Sequence, residues 1–282
     1  MPFAIIVHGG AGEIAPDSVD ARLSGCRVAA EAGYAILRNN GSALDAVEAA
    51  VVVLENNPLF NAGIGSTLNR EGKVETDAAI MDGAGLKAGA VAAVSGIRNP
   101  IRLARKVMDA SPHILLASEG AYLFAQQHNI ETCDPKVLVV PTQRAHWEKE
   151  HGTVGAVALD TNGHLAAATS TGGIFNKLPG RVGDTPLIGC GTFANEYGAV
   201  SCTGLGEDII RMTLARQATY LLEQGLDAVA AARQAMIHFT AKTHGEAGLI
   251  MLDQSGQTGF ARNAANMPVC ALAVDARMIL EA

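Results

Sequence analysis

A threonine hydroxyl is a poor nucleophile unless a base stands beside it. One place in this 282-residue chain could supply nucleophile and base from a single residue. The stretch His151-Gly152-Thr153-Val154-Gly155-Ala156-Val157-Ala158-Leu159-Asp160 opens an apolar strand, and the run before it, residues 142–150, is too polar for a core strand. A cut of the Gly152–Thr153 bond at that seam would make Thr153 an N-terminus. Its free α-amine would titrate at about pH 7.7–8.0. It could then accept the proton of its own hydroxyl, which an amide nitrogen cannot do.

A second hydroxyl is brought close by a hairpin. Asp160-Thr161-Asn162-Gly163-His164 carries the Asn-Gly signal of a tight turn, and the returning strand reads Leu165-Ala166-Ala167-Ala168-Thr169-Ser170-Thr171-Gly172-Gly173. A two-residue loop would pair Thr153 with Gly172, and a three-residue loop would pair it with Thr171. Either register leaves the Thr171 hydroxyl within one residue of Thr153. Thr203-Gly204 stands ahead of a helix and suits an N-cap. Arg181 and Asp184 lie three apart in a Gly- and Pro-rich loop. They read either as a solvated ion pair or as a grip on a ligand carrying both charges.

Three motifs occur in order: Gly152-Thr153-Val154-Gly155-Ala156-Val157-Ala158, Ala168-Thr169-Ser170-Thr171-Gly172-Gly173, and Asn176-Lys177-Leu178-Pro179-Gly180-Arg181-Val182-Gly183-Asp184. Together they resemble the plant-type L-asparaginase/isoaspartyl peptidase family of N-terminal nucleophile hydrolases. The resemblance implies an α/β fold, a four-layer αββα sandwich of two mainly antiparallel sheets flanked by helices. It implies one domain over residues 1–282, self-cleaved between Gly152 and Thr153 into segments 1–152 and 153–282. The implied activity is hydrolysis of the asparagine side-chain amide and of β-aspartyl dipeptides. Thr153 would be the nucleophile, supported by Thr171 and Asn61. Thr203 and Gly204 would form the oxyanion hole. Arg181 and Asp184, with Gly204 and Gly206, would hold the α-carboxylate and α-ammonium. No cofactor is implied for catalysis. A structural sodium ion on the main-chain carbonyls of Leu54, Glu55, Phe60, Ala62 and Ile64 is implied, and so is a dimer of cleaved heterodimers. The alternatives are a glycosylasparaginase-like hydrolase and an uncleaved protein that only binds aspartyl ligands.

The elements that must position these residues follow from periodicity and punctuation. Residues 3–7 read as a buried strand that ends in His8-Gly9-Gly10-Ala11-Gly12, a loop lacking the Lys-Ser/Thr of a phosphate cradle. His8 there reads as a satisfied structural histidine. An amphipathic helix is expected over 17–39, and a second from Ser42, capped with Asp45 and stopping before Pro58. Strands are expected over 73–81, 87–94 and 114–117, and helices over 100–109 and 119–128. One helix is expected from about Glu207 to Gly225 and another to about Thr240, followed by a hairpin about Gln254-Ser255-Gly256.

The chain is 49% hydrophobic but 4% aromatic, so its core must be aliphatic, and its 31 glycines suit a layered α/β protein with many turns. The net charge of −7 and the absence of a long basic run argue against nucleic acid and anionic membranes as partners, leaving small-molecule substrates. No stretch reaches spanning length, and five scattered cysteines suit a reducing, cytoplasmic setting.

Overall fold

The computed structural model describes residues 2–140, 152–274 and 278–282. Strand β1 (Ala4–His8) runs through the larger sheet between β11 (Val269–Ala273) and β5 (Val154–Leu159), antiparallel to both. Beyond β5 follow β6 (Leu165–Thr171), β2 (Thr76–Asp82), β3 (Lys87–Val94) and the short β4 (Leu115–Ala117), with β12 (Met278–Glu281) closing the other edge. Only the β3–β4 pair of this eight-stranded sheet is parallel. A second, four-stranded antiparallel sheet has the order β10 (Thr258–Arg262), β9 (Ala247–Asp253), β8 (Gly198–Gly204), β7 (Thr192–Ala194).

The strand period of two sorts side chains into three layers. Ile5, Val7, Ala156 and Ala158 join one cluster with α1 (Val19–Arg38), α2 (Ala43–Glu55) and α3 (Pro100–Ala110). Ala4, Ile6, Val157 and Leu159 face the other way and pack with Ala199, Ile250 and Leu252 between the sheets. Val200, Cys202, Leu249 and Met251 pack outward on α6 (Leu214–Glu223) and α7 (Ala228–Lys242). The architecture is therefore the αββα sandwich that the sequence resemblance implied. The packing is built on small side chains: Ala46, Ala50, Ala156 and Ala168 are fully buried, which lets α2 lie close on the sheet.

Several expected elements hold with small shifts. The Ser42 hydroxyl accepts the Asp45 N–H (3.1 Å) and caps α2. Helix α4 (Ser118–Gln127) follows β4 as expected. The helix expected from Glu207 to Gly225 is instead two, α5 (Gly206–Met212) and α6, broken at Thr213, which is left-handed at φ 46. Residues 73–75 precede β2, which begins only at Thr76. Strands β7, β11 and β12 were not anticipated, being three to five residues long and without alternation.

Candidate active site

The β5–β6 hairpin decides which hydroxyl faces Thr153. Gly163 N–H donates to the Asp160 carbonyl (3.0 Å), and Asp160 N–H donates to that of His164 (3.0 Å). Gly163 is left-handed at φ 83, so residues 161–163 form a three-residue loop. Asp160 braces it from below, its Oδ1 accepting the N–H groups of Asn162 (2.9 Å) and His164 (3.1 Å). Val154 then pairs with Ser170, and the same register carried one step further sets Thr153 opposite Thr171. The two hydroxyls meet at 3.2 Å, Thr153 donating.

Both act around one carbonyl. Thr171 Oγ1 donates to the Gly152 oxygen (3.0 Å) and accepts the Gly173 N–H (2.9 Å). Asn61 Nδ2 also donates to the Gly152 oxygen, at 2.7 Å, and to the Gly173 carbonyl at 2.6 Å. The amide of Asn61 is pinned by Thr67 N–H on its Oδ1 (2.9 Å). The carbonyl preceding Thr153 therefore has two donors, from different segments, converging on it. On the other side the β1 loop presses close. A side chain on Gly10 would lie 3.0 Å from Gly152 Cα and 3.2 Å from Thr153 N.

Thr203 lies inside β8, fully buried, and does not cap a helix. The cap position of α5 is Leu205, with no side-chain bond, so the N-cap reading of Thr203-Gly204 fails. Thr203 Oγ1 accepts the Ala11 N–H at 3.0 Å, which leaves its own O–H free to donate elsewhere. Gly204 has φ 138 and lies against Glu246 and Ala247, where only glycine fits.

A cavity of about 10 Å³ joins these groups, lined by Thr153, Thr171, Gly173, Arg181, Asp184 and Gly204 among others. Arg181 and Asp184 are therefore neither a surface pair nor bonded to each other. The Arg181 Nε and Nη2 donate to the two carboxylate oxygens of Glu207 (2.9 and 2.8 Å), which leaves the Nη1 edge unclaimed by Glu207. Asp184 is 3% exposed, and burial raises its pKa to about 7, with Arg181 opposing the shift. Its Oδ2 has no hydrogen-bond partner. Gly206 packs against both, a Cβ there lying 2.8 Å from Arg181 Nη2 and 2.9 Å from Asp184 Oδ1.

Of the other buried groups at the site, only His8 was singled out from the sequence. His8 Nδ1 accepts the Gly10 N–H (3.3 Å), which puts the proton on Nε2, 2.9 Å from Ser201 Oγ. Burial lowers its pKa to about 3, so it is the neutral structural histidine expected. Ser201 continues to Thr169 (2.8 Å) and Thr169 to Thr192 (2.7 Å), a line of hydroxyls between the sheets. Gly155 makes room for it, since a side chain there would collide with Ser201 Oγ. Asp77 is fully buried and accepts the N–H of Gly183 (3.2 Å), the residue just before Asp184. The one available signal was parity. Ser201 and Thr203, or Thr169 and Thr171, share a strand face, and polar residues recurring at that period on a buried strand are unusual.

The sodium-binding carbonyls foreseen lie where α2 turns into the Asn61 loop. Leu54 O accepts the Asn57 N–H (3.1 Å) and Glu55 O that of Ile64 (2.8 Å). Those of Phe60, Ala62 and Ile64 accept no backbone N–H among the described residues. Among the described residues no cluster of His, Cys, Asp or Glu is arranged to hold a metal ion.

An αββα sandwich with a threonine at the head of a central strand is the architecture of the N-terminal nucleophile hydrolases. The model of the asparaginase family matches residues 1–151 and 140–279, and the chain belongs to that family. It is 48% identical over 282 residues to the bovine isoaspartyl peptidase/L-asparaginase, covering 95% of this chain and 92% of that one. It is 48% identical to the plant-type L-asparaginase of Pyrococcus abyssi, covering 94% of each, and 47% identical to that of Thermococcus kodakarensis, again over 94% of each.

Proposed function

We propose that this enzyme cleaves itself at Gly152–Thr153 and then hydrolyses the side-chain amide of L-asparagine and the isopeptide bond of β-aspartyl dipeptides. The observation that carries this reading is the Gly152 carbonyl, held by Asn61 Nδ2 at 2.7 Å and Thr171 Oγ1 at 3.0 Å beside the Thr153 hydroxyl. Donors aimed at a carbonyl stabilise the oxyanion that forms when it is attacked. Attack by Thr153 Oγ on Gly152 forms an ester and breaks the C–N bond, with the nitrogen taking a proton to become the α-amine. Water then cleaves the ester. Gly152 keeps a carboxylate, Thr153 a free hydroxyl, and the single 1–282 unit becomes 1–152 and 153–282.

In the mature enzyme the Thr153 amine takes the hydroxyl proton, and Oγ attacks the substrate amide. The Thr203 hydroxyl and the Gly204 N–H are the donors to the oxyanion. Collapse expels ammonia or an amino acid, protonated by the Thr153 ammonium, and water releases aspartate from the acyl-threonine. The Nη1 edge of Arg181 takes the α-carboxylate, and the unpartnered Asp184 oxygen takes the α-ammonium. The names of the relatives, isoaspartyl peptidase and L-asparaginase, support both substrate types.

The carbonyls of Phe60, Ala62 and Ile64, joined by those of Leu54 and Glu55, form a neutral oxygen set that suits a sodium ion stiffening the Asn61 loop. The mature enzyme is read as a dimer of cleaved heterodimers. Five free cysteines, four of them buried, fit a cytoplasmic setting, and among the described residues no helix is long and apolar enough to cross a membrane. Intact mass under denaturing conditions tests the maturation. Wild type should give fragments of 152 and 130 residues, and Thr153→Ala should stay whole and turn over neither substrate. Hydrolysis by uncut Thr153→Ala would sink the mechanism.

A further inference from the structure

Asp77 has no part in the chemistry proposed above, yet it is fully buried beside the site. The β2–β6 register sets it opposite Thr171, so its side chain leaves the sheet on the face that carries the Thr171 hydroxyl. Strand β3 bulges against it. Between the pairs Thr76–Val94 and Ala78–Val91, Asp77 alone opposes both Ala92 and Ala93. Ala93 is left-handed there at φ 47, a conformation that an L side chain rarely adopts. Asp77 Oδ1 accepts the Ala93 N–H at 2.7 Å, and Oδ2 accepts the Gly183 N–H at 3.2 Å.

One carboxylate thus ties the sheet to the Gly183 peptide, which lies inside the substrate grip. Arg181 folds back over Gly183, so that a side chain there would lie 2.9 Å from Nη1, and Asp184 is the next residue. A buried carboxylate needs a compensating charge, and Lys177 supplies it. Lys177 is 3% exposed, its Nζ donates to the Glu75 carbonyl (2.7 Å), and its stem packs on Gly173 of the catalytic cavity. Burial raises the Asp77 pKa, while Lys177, the two N–H groups and Arg181 oppose the rise. Burial lowers that of Lys177, and Asp77 and Glu75 oppose the fall. The Glu75 carboxylate anchors the same loop from outside, accepting the exposed Gly180 N–H at 3.2 Å.

We propose that Asp77 is a positioning residue for substrate: it sets the Gly183 peptide so that Arg181 Nη1 and the unpartnered Asp184 oxygen face one zwitterion together. The inference rests on the function proposed above and deepens it. Asp77 touches neither substrate nor the reacting atoms. Its hydrogen bonds go to Ala93 and Gly183 and not to Gly152, Thr153, Thr171 or Asn61, so it serves binding and not the maturation cleavage. A group that holds the grip alike in the ground and transition states acts on KM and spares kcat.

The test compares wild type with Asp77→Asn and with Asp77→Asn/Lys177→Met, which removes both buried charges so that neither is stranded. An asparagine keeps one acceptor, which the closer Ala93 N–H claims, leaving Gly183 unheld. Both variants should cleave themselves into the two expected fragments, which reports an intact fold. KM for asparagine and for a β-aspartyl dipeptide should rise about tenfold, the scale of one hydrogen bond to a charged group, with kcat within about threefold. Glu75→Ala, which removes only the outer anchor, should raise KM less than about twofold. An unchanged KM in a self-cleaved Asp77 variant overturns the role. So does a Glu75→Ala effect as large as that of Asp77→Asn, or a parallel loss of self-cleavage, kcat and affinity in both Asp77 variants. All three leave the hydrolytic function standing, whereas mature wild type that turns over neither substrate overturns that function and this role with it.

Discussion

Two carboxyl groups are buried on opposite sides of the larger sheet, and burial raises both to a pKa of about 7. Glu55, at the end of α2, is saturated. Its Oε1 accepts from Ser170 Oγ (2.7 Å) and Ile101 N–H (3.0 Å), and its Oε2 accepts from Asn99 Nδ2 (3.0 Å). Asp184, which lines the same small cavity as Thr153, has a buried oxygen with no partner. Equal burial with unequal pairing separates two uses of an acid. The satisfied one fastens β6 and α3 to the Asn61 loop, whereas the half-paired one keeps its affinity for a ligand that brings a positive charge.

The largest effect expected from breaking this contrast is on substrate use. Asp184→Ala should lower kcat/KM for asparagine about 100-fold or more, the scale of a lost buried charge-assisted contact. Its thermal midpoint should change little, because the one backbone donor to its carboxylate is its own N–H. If Asp184→Ala kept full kcat/KM, the ammonium would have to be held elsewhere.

Glu55→Ala should do the reverse. Three donors lose their acceptor inside the helical layer, and the expected destabilisation is about 3 kcal/mol. The folded fraction should keep kcat/KM within a few-fold. Denaturant unfolding of the two variants side by side decides between these outcomes.

A smaller and subtler effect is the dependence on pH. On the proposed grip of the α-ammonium by ionised Asp184, KM for asparagine should rise as pH falls through about 7, and Asp184→Asn should lose that rise. Stability should move opposite to affinity, rising as pH falls just as KM does. Both carboxyls have folded pKa values raised above the unfolded ones, so their contribution is fully present below about pH 4 and is lost as pH rises through about 7. The ligand-free midpoint should therefore fall between pH 5 and 8, and Asp184→Asn or Glu55→Gln should each flatten the fall. Stability that rises with pH while KM falls would contradict the assignment.

Much of the fold was legible in the residues. The Ser42 cap, the limits of β3 and the helix opening at Pro100 are local signals, set by backbone preferences that need no tertiary partner. The break at Thr213 was not legible, because it serves the docking of α6 against Cys190 and Gly189: their carbonyls accept the N–H groups of Ala215 and Arg216. Nor was the partnering of Arg181 with Glu207 rather than Asp184, since Asp184 is only three residues on and Glu207 is 26, and it is the turn at Gly183 and the start of α5 that choose the more distant acid.

At the site the division is the same. The sequence alone determined that Thr153 heads a buried strand, that a hairpin returns a hydroxyl toward it, and that the family's motif residues are present, because strand alternation and turn chemistry act over a few residues. Only the tertiary structure decided that the loop has three residues, so that Thr171 rather than Gly172 faces Thr153. It also decided that Asn61, 91 residues away, shares the Gly152 carbonyl with Thr171, and that Asp184 is buried with an oxygen to spare. Those outcomes depend on how two sheets and their connecting loops pack, and long-range packing leaves no local pattern to read.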